Sequence, residues 1–438
     1  MTNGEINRLG DSIRAECDEM SDLTLEELQA HRISHKETLA KVFSIVSKQS
    51  KQISRESIVT YRIKRIESIL NKLFRYPKMK FSRMWDVGGC RCILHTVNQV
   101  YRLKEKLESI PEIKIRKEYD YIEEPQKEGY RSLHLFIQHQ DSPVVIELQL
   151  RTRIDHSWAT LVEITDLLYN SKLKEYKKDT KLLRFHYLLS LREDLSHQQM
   201  IEIVNIIKKY KYFENLSSVF SRNYIEVRKQ WLEIENKYNH TYFLIETTSD
   251  KVPKISSYKS FEEAEREYLN IYKSKVNANV VLTHLPKPRY DQISIAYSNY
   301  ILTFHSFIDD CFLIYEKLVE RTLKKRKILS FIKYFDEYNE LLVLQFRNQV
   351  NEIVEFKKLK SKSKGQGRFN KKRKEWVSDI DKNMKKRNNK NRLFAESFSN
   401  AAPKTLIIRN MFSFCTKRAM KKQRTKLNSI LAITQDMK

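Results

Sequence analysis

The spacing of apolar positions changes along the chain, and the elements it predicts change with it. Over the first 50 residues, Leu23, Leu25 and Leu28, then Val42 to Ile45, are compatible with helical spacing, and Ser21 or Thr24 can cap. Residues 55–76 predict a further, basic amphipathic helix. Its apolar stripe is Ile58, Tyr61, Ile66, Ile69, Leu70 and Leu73, with Arg62, Lys64, Arg65 and Lys72 projecting elsewhere. β patterns then begin. Cys90–Thr96 reads as a buried strand after Gly88-Gly89, and Val97–Ser109 returns to helix. Ile113–Lys117, Leu133–His139 and Val144–Leu150 read as strands, and Arg153–Tyr169 as a helix. This order predicts an α+β fold, one mixed sheet flanked by helices.

Residues 175–235 also look helical. A strand at Thr241–Glu246, a helix at Phe261–Lys273 and a strand at Asn279–Thr283 follow. Ala296-Tyr297-Ser298-Asn299-Tyr300 opens a helix that runs to about Leu318, completing a small α/β module. Between Lys357 and Arg392 there are 16 Lys/Arg against 3 Asp/Glu. Lys360–Lys374 is low in complexity and expected to be disordered, or helical only on binding. The expected organisation is an N-terminal helical segment (1–50), a main domain (51–175), a helical region (176–235), the small module (236–320) and a basic, partly helical or disordered C-terminal region (321–438).

Composition narrows the function classes. The 438 residues suit two or three domains, and a 41% hydrophobic share suits a buried core. With 82 Lys/Arg against 55 Asp/Glu the net charge is +27, which favours polyanionic partners such as nucleotides or RNA, although a lysine-rich solvated surface has the same balance. Only 7 glycines are present and no G-x-G-x-x-G or G-K-[ST] occurs, which argues against a glycine-rich phosphate loop. Cys17, Cys90, Cys92, Cys311 and Cys415 form no C-x-x-C pair and suit a reducing cytoplasm. No apolar leader and no run of about 18 apolar residues is present, so neither secretion nor a membrane span is expected.

Candidate chemistry gathers in the main domain. Lys64, Ser68 and Lys72 at i, i+4, i+8 share a helix face that suits a triphosphate, unless it is simply solvated. Asp86 precedes Gly88-Gly89 and a strand carrying Arg91. Its carboxylate can hold Mg²⁺, which takes one or two carboxylates plus substrate phosphates, or it can cap a turn and pair with Arg91. Tyr130 follows Gly129 and can present its ring to a base or pack on the sheet. Glu147, Gln149 and Arg151 alternate on one side of a strand. Buried and unpaired they would be costly, so they mark a wet cleft or a tight polar network.

These blocks, in this order, resemble the RelA/SpoT family of alarmone synthetases over roughly residues 50–170. The resemblance implies a nucleotidyltransferase-like mixed sheet and transfer of the β,γ-pyrophosphate of ATP to the ribose 3′-hydroxyl of GDP or GTP, with release of AMP. It implies that Arg62 and Arg91 sandwich adenine, and that Lys64, Ser68 and Lys72 hold the ATP phosphates. Asp86 would bind Mg²⁺. Tyr130 would stack on the acceptor base with His134 nearby. Glu147 would orient and deprotonate the 3′-hydroxyl and share the metal, supported by Gln149 and Arg151. Pro125-Gln126-Lys127 stands where the family has Pro-Lys, so Lys127 or Lys117 is the candidate for the acceptor's 5′-phosphates. Glu163-Ile164 replaces a Glu-His pair, and His156-Ser157-Trp158-Ala159-Thr160 resembles a subgroup with extended C-termini; His156 is therefore a further acceptor candidate. No His-Asp dyad occurs, so a hydrolase domain is not expected. Some relatives are toxins that pyrophosphorylate the 3′-terminal adenosine of tRNA. That implies tRNA as an alternative acceptor and an antitoxin partner; the basic C-terminal region suits RNA contact, and relatives in the family often form homo-oligomers, which this chain is then expected to share. A non-enzymatic RNA-binding regulator is the third reading.

Overall fold

The computed structural model describes residues 1–16, 20–169, 179–234, 239–247, 253–274, 279–286 and 304–358, with isolated positions between 288 and 425. The elements are α1 (Asn3–Glu16), α2 (Asp22–Ile33), α3 (Lys36–Ile53), β1 (Ile58–Ile63), α4 (Ile66–Arg75), β2 (Gly88–Leu94), α5 (Val97–Glu108), β3 (Ile113–Asp120), β4 (Leu133–His139), β5 (Val145–Thr152), α6 (Arg153–Tyr169), α7 (Thr180–Ser190), α8 (His197–Lys209), α9 (Tyr212–Ile234), β6 (Tyr242–Thr247), β7 (Lys254–Tyr258), α10 (Phe261–Ser274), β8 (Asn279–His284), α11 (Phe304–Lys324) and α12 (Ile328–Lys358). They form two units. The first is 1–191 with 226–303, and the second is 192–225 with 304–438.

The first unit is built on an eight-stranded mixed sheet of order β3-β4-β5-β2-β1-β8-β6-β7. Strands β2 and β5 are parallel and the other neighbours are antiparallel. The expected α+β class holds. Leu39, Val42, Phe43 and Val46 of α3 and Val100, Leu103 and Leu107 of α5 pack on Tyr61, Cys90, Cys92, Leu148 and Leu150, closing one face of the sheet. Each fully buried aliphatic side chain of this kind contributes roughly 1.5–3 kcal/mol. A separate apolar cluster joins α1, α2 and α4 through Leu9, Ile13, Leu28, Ile66, Ile69 and Leu73, together with Phe81, Met84 and Val87.

Three expectations are corrected. Residues 55–76 are not one helix. Ile58-Val59-Thr60-Tyr61 is a β-branched and aromatic run that suits a pleated strand, and the helix begins only at Ile66. The stretch 1–50 is three helices, with Ser21 capping the second by accepting from Thr24 N–H. Residues 236–320 are not a separate module. β6, β7 and β8 extend the main sheet, because β8 pairs with β1, and Phe304 onward belongs to the second unit. The expected start of a helix at 296–300 and the low-complexity Lys360–Lys374 lie outside the described residues.

In the second unit, α11 and α12 are joined by a tight turn in which Arg326 takes a positive φ of 53°. Phe312 meets Tyr338 edge-on at 5.3 Å, and Ile308, Leu318, Leu342 and Phe346 are buried. Within the region expected to be basic and partly helical, Ile328–Lys358 forms a long helix packed on α11.

Candidate active site

Two rungs of the sheet lay polar side chains on the face opposite α3 and α5. Thr60 pairs with Arg91, Arg91 with Gln149, Gln149 with His134, and His134 with Tyr119. In the next rung Arg62 pairs with Gly89, Gly89 with Glu147, Glu147 with Phe136, and Phe136 with Lys117. Side chains alternate faces with period two, so these registers bring the expected site residues to one surface. Gly89 leaves a gap between Arg62 and Glu147. A Cβ there would meet only backbone oxygens, at 3.8 and 3.9 Å.

Asp86 lies in the turn just before β2. Its two oxygens accept from Lys64 Nζ at 2.9 Å and Lys72 Nζ at 2.8 Å. Burial alone would raise its pKa, but the two ammonium groups outweigh that and hold the carboxyl at about 2. The partner is therefore the lysine pair and not Arg91. Lys64 lies between β1 and α4, not on a helix, whereas Ser68 and Lys72 share one face of α4. The phosphate-type cluster survives the corrected secondary structure because the β1–α4 turn returns Lys64 to the start of β2, with Lys64 N–H donating to Val87 O at 2.8 Å.

On β4 and β5 the polar residues close into a ring of hydrogen bonds. Arg151 donates through Nη2 to the Tyr130 hydroxyl and to Gln149 Oε1 (2.7 Å). The Tyr130 hydroxyl donates to His134 Nε2 at 2.7 Å, and His134 Nδ1 donates to Glu147 Oε1 at 3.0 Å. Gln149 Nε2 donates to Glu147 Oε2 at 3.0 Å. This assignment, with Nδ1 of the imidazole protonated, gives each atom a complementary role. Two donor chains thus start at Arg151 and both end on Glu147. Burial pushes the Glu147 carboxyl up, but the hydrogen bond from His134 overcomes this and lowers it; neighbouring Asp86 opposes, and Lys64 assists. The two acids therefore feel each other's charge, as expected for carboxylates lining one cleft.

Arg151 is 5% exposed and also reaches Ser132 Oγ at 3.4 Å. Arg91 is lowered to about 9 by burial and by the like charges of Arg151 and Arg62, and its Nε is buried with no hydrogen-bond partner. Three guanidinium groups held within electrostatic reach of one another favour an anionic ligand.

The aromatic surroundings are richer than expected. Tyr130 is not a free shelf: its hydroxyl is bound, and Arg151 lies 4.9 Å from its ring centre. Trp158 of α6 approaches Tyr130 at 6.5 Å and donates to His186 O of α7 at 2.8 Å, forming a wall. Beyond His134, Tyr121 and Tyr119 stack at 5.8 Å, with Lys117 Nζ 4.4 Å above the Tyr119 ring. Tyr119 is 38% exposed. Sequence reasoning missed Tyr119, Tyr121 and Trp158; the β3 alternation that places Lys117 and Tyr119 on one side was the available signal. Lys127 is exposed at the turn before Gly129. His156 is 2% exposed within α6.

For Mg²⁺, Asp86 and Glu147 supply two mutually repelling carboxylates beside cations that suit phosphate, which fits an ion needing few protein oxygens plus substrate. Among the described residues no group of three or more His, Cys, Asp or Glu gathers as a self-contained metal cage.

Residues 61–174 match the family model described as a region found in RelA / SpoT proteins. The chain is 32% identical over 133 residues to the GTP pyrophosphokinase YwaC of Bacillus subtilis (strain 168), covering 27% of this chain and 63% of that protein. It is 30% identical over 128 residues to the GTP pyrophosphokinase YjbM of the same strain, covering 27% of this chain and 61% of that protein. The chain thus spans a little under two thirds of these curated relatives. A crystal structure of small alarmone synthetase 1 from Bacillus subtilis bound to its product pppGpp is similar at 23% identity and a TM-score of 0.34, covering 42% of this chain and 98% of that one. The mixed sheet with its one-sided polar face defines an α+β domain. Residues 61–174 of the chain thus carry a RelA/SpoT region.

Proposed function

We propose that the protein is an ATP-dependent pyrophosphokinase whose acceptor is the 3′-hydroxyl of GTP or GDP, making pppGpp or ppGpp and AMP. The observation that carries this reading is that Asp86, tied to Lys64 and Lys72 in the turn before β2, lies within electrostatic reach of Glu147 on the polar sheet face that also carries Arg62 and Arg91. In this reading Lys64, Ser68 and Lys72 bind the ATP phosphates, and Arg62 and Arg91 flank adenine. Glu147 takes the proton of the 3′-hydroxyl. The freed oxygen attacks the β-phosphorus, the bond from that phosphorus to the α-phosphate oxygen breaks, and AMP leaves. Asp86 and Glu147 would hold Mg²⁺, which when bound neutralises phosphate charge. Positioning and electrostatics supply the rest. The ring of donors on Glu147 keeps the base ionised and aimed.

One observation favours a second reading. Exposed Tyr119, stacked on Tyr121 under Lys117, continues the aromatic surface past His134. A nucleotide chain can stack on such a surface where a mononucleotide would not reach. The acceptor in that reading is the 3′ end of tRNA. Purified protein, γ-³²P-ATP and either GTP, GDP or bulk tRNA decide the matter by thin-layer and gel separation. Label in a guanosine nucleotide with release of AMP supports the first reading, and label on tRNA the second. Absence of transfer to all three would refute both and leave an RNA-binding regulator.

A further inference from the structure

Resting on the ATP side of that reading, we propose that Arg32, on a helix outside the matched 61–174 region, is a positioning residue for the phosphate-binding lysines. Arg32 is 1% exposed. Its Nε donates to Lys64 O at 2.9 Å, and its Nη1 donates to Gln29 Oε1. Lys64 N–H is held at the same time by Val87 O at 2.8 Å, next in sequence to Asp86. Both polar groups of the Lys64 backbone are therefore fixed, one by α2 and one by the start of β2. Lys64 lies in neither a strand nor a helix, so it has no regular ladder to set the direction of its side chain.

Energetics argue that this arrangement does more than fill space. Burying a guanidinium costs several kcal/mol unless its donors are well met, and an apolar side chain of similar volume is often at least as stabilising. What an apolar side chain cannot do is hold the Lys64 carbonyl.

The same helices mould the loop that carries Asp86. Arg14 Nη2 donates to Met79 O at 2.5 Å, and Ser82 N–H donates to Asn7 Oδ1 at 3.1 Å. Gly10 lies so close to Phe81 that an added Cβ would stand 2.8 Å from the Phe81 Cβ. His31, one residue before Arg32, meets the Phe81 ring edge-on at 4.9 Å. When a polyphosphate draws the lysines from Asp86, Arg32 keeps Lys64 aimed at it.

The test uses the full chain with Arg32→Gln and Arg32→Lys. Binding of MgATP without acceptor is measured by calorimetry. The KM for ATP and for the acceptor and the unfolding midpoint are measured alongside. Misplacement of about 1 Å at a reacting centre can cost roughly 100-fold. Arg32→Gln should therefore lose up to that factor in kcat/KM for ATP and weaken MgATP binding, with the acceptor KM unchanged. Arg32→Lys, which keeps the charge but loses the fork, should fall in between. Wild-type ATP binding and KM in either folded variant, with only a lowered midpoint, would overturn the proposal in favour of a structural role. If Arg32→Gln does not fold, Arg32→Lys decides by the same criterion. Wild-type protein that binds MgATP but transfers to no acceptor refutes the enzymatic reading alone, and the binding measurement still tests Arg32. Wild-type protein that binds no MgATP refutes both.

Discussion

Asp86→Asn separates the charge of the lysine–carboxylate triad from its shape. Two lysines hold the Asp86 carboxyl at about 2 against an ordinary 3.8. That difference corresponds to about 2.5 kcal/mol favouring the ionised folded form. Because the folded value lies below the unfolded one, this stability is fully present above pH 4 to 5 and is lost as the pH falls through 3.8 toward 2. About half of it should remain at pH 3. Asparagine can accept from one ammonium but leaves two positive charges unopposed. At pH 7 the variant should therefore lose about 2 kcal/mol, a drop in melting midpoint of roughly 5 °C for a unit of this size. Urea unfolding of both proteins, followed at steps from pH 7 down to pH 3, should show the gap closing as acid is added. Phosphotransfer should be absent at every pH. Equal stability at pH 7, or a gap that stays constant with pH, would refute the ionic account of the triad.

Glu147→Gln should cut transfer by about 10²–10⁴-fold in steady-state assays, since it removes the proton acceptor. Gly129→Ala should destabilise the first unit by about 1–3 kcal/mol in urea titrations: Gly129 has a φ of 92°, and a Cβ there would lie 2.1 Å from Ser190 Oγ. Tyr119→Ala should leave GTP and GDP kinetics within about twofold. If tRNA is the acceptor, its use should fall by the roughly 1–3 kcal/mol of one lost base stack, read from kcat/KM for each acceptor.

The half of the fold that carries the candidate site was legible because its signals are local. Leu133–His139 and Arg153–Tyr169 were bounded in agreement with the structure, and the alternation Glu147, Gln149, Arg151 correctly placed three polar side chains on one face. The helix expected at 55–76 failed for a physical reason. Ile58 and Tyr61 fit a helical stripe and a pleated strand equally well, and only sheet neighbours on both sides decide for the strand. Lys64 was grouped with Ser68 and Lys72 through a helical spacing that holds only for the last two, yet Lys64 and Lys72 do converge, because the turn and Asp86 replace the helix in bringing them together. The ring on Glu147 was not legible, since the Tyr130 and Arg151 partners come from separate segments. Nor was Arg32, whose target is a backbone oxygen that no pattern of side chains can announce.

Strand β1, which carries Arg62, finds its second neighbour only at residues 279–284, and Thr283 Oγ1 fastens that neighbour to Val59 O at 2.8 Å. During synthesis the candidate-site face therefore waits for more than two hundred further residues before its central strand is paired on both sides. A chain cut after the matched region would present β1 as an open edge, ready to pair with another copy. Excising the family-like segment as a minimal enzyme should yield aggregates, whereas a fragment that runs past His284 retains the sheet's own means of closure.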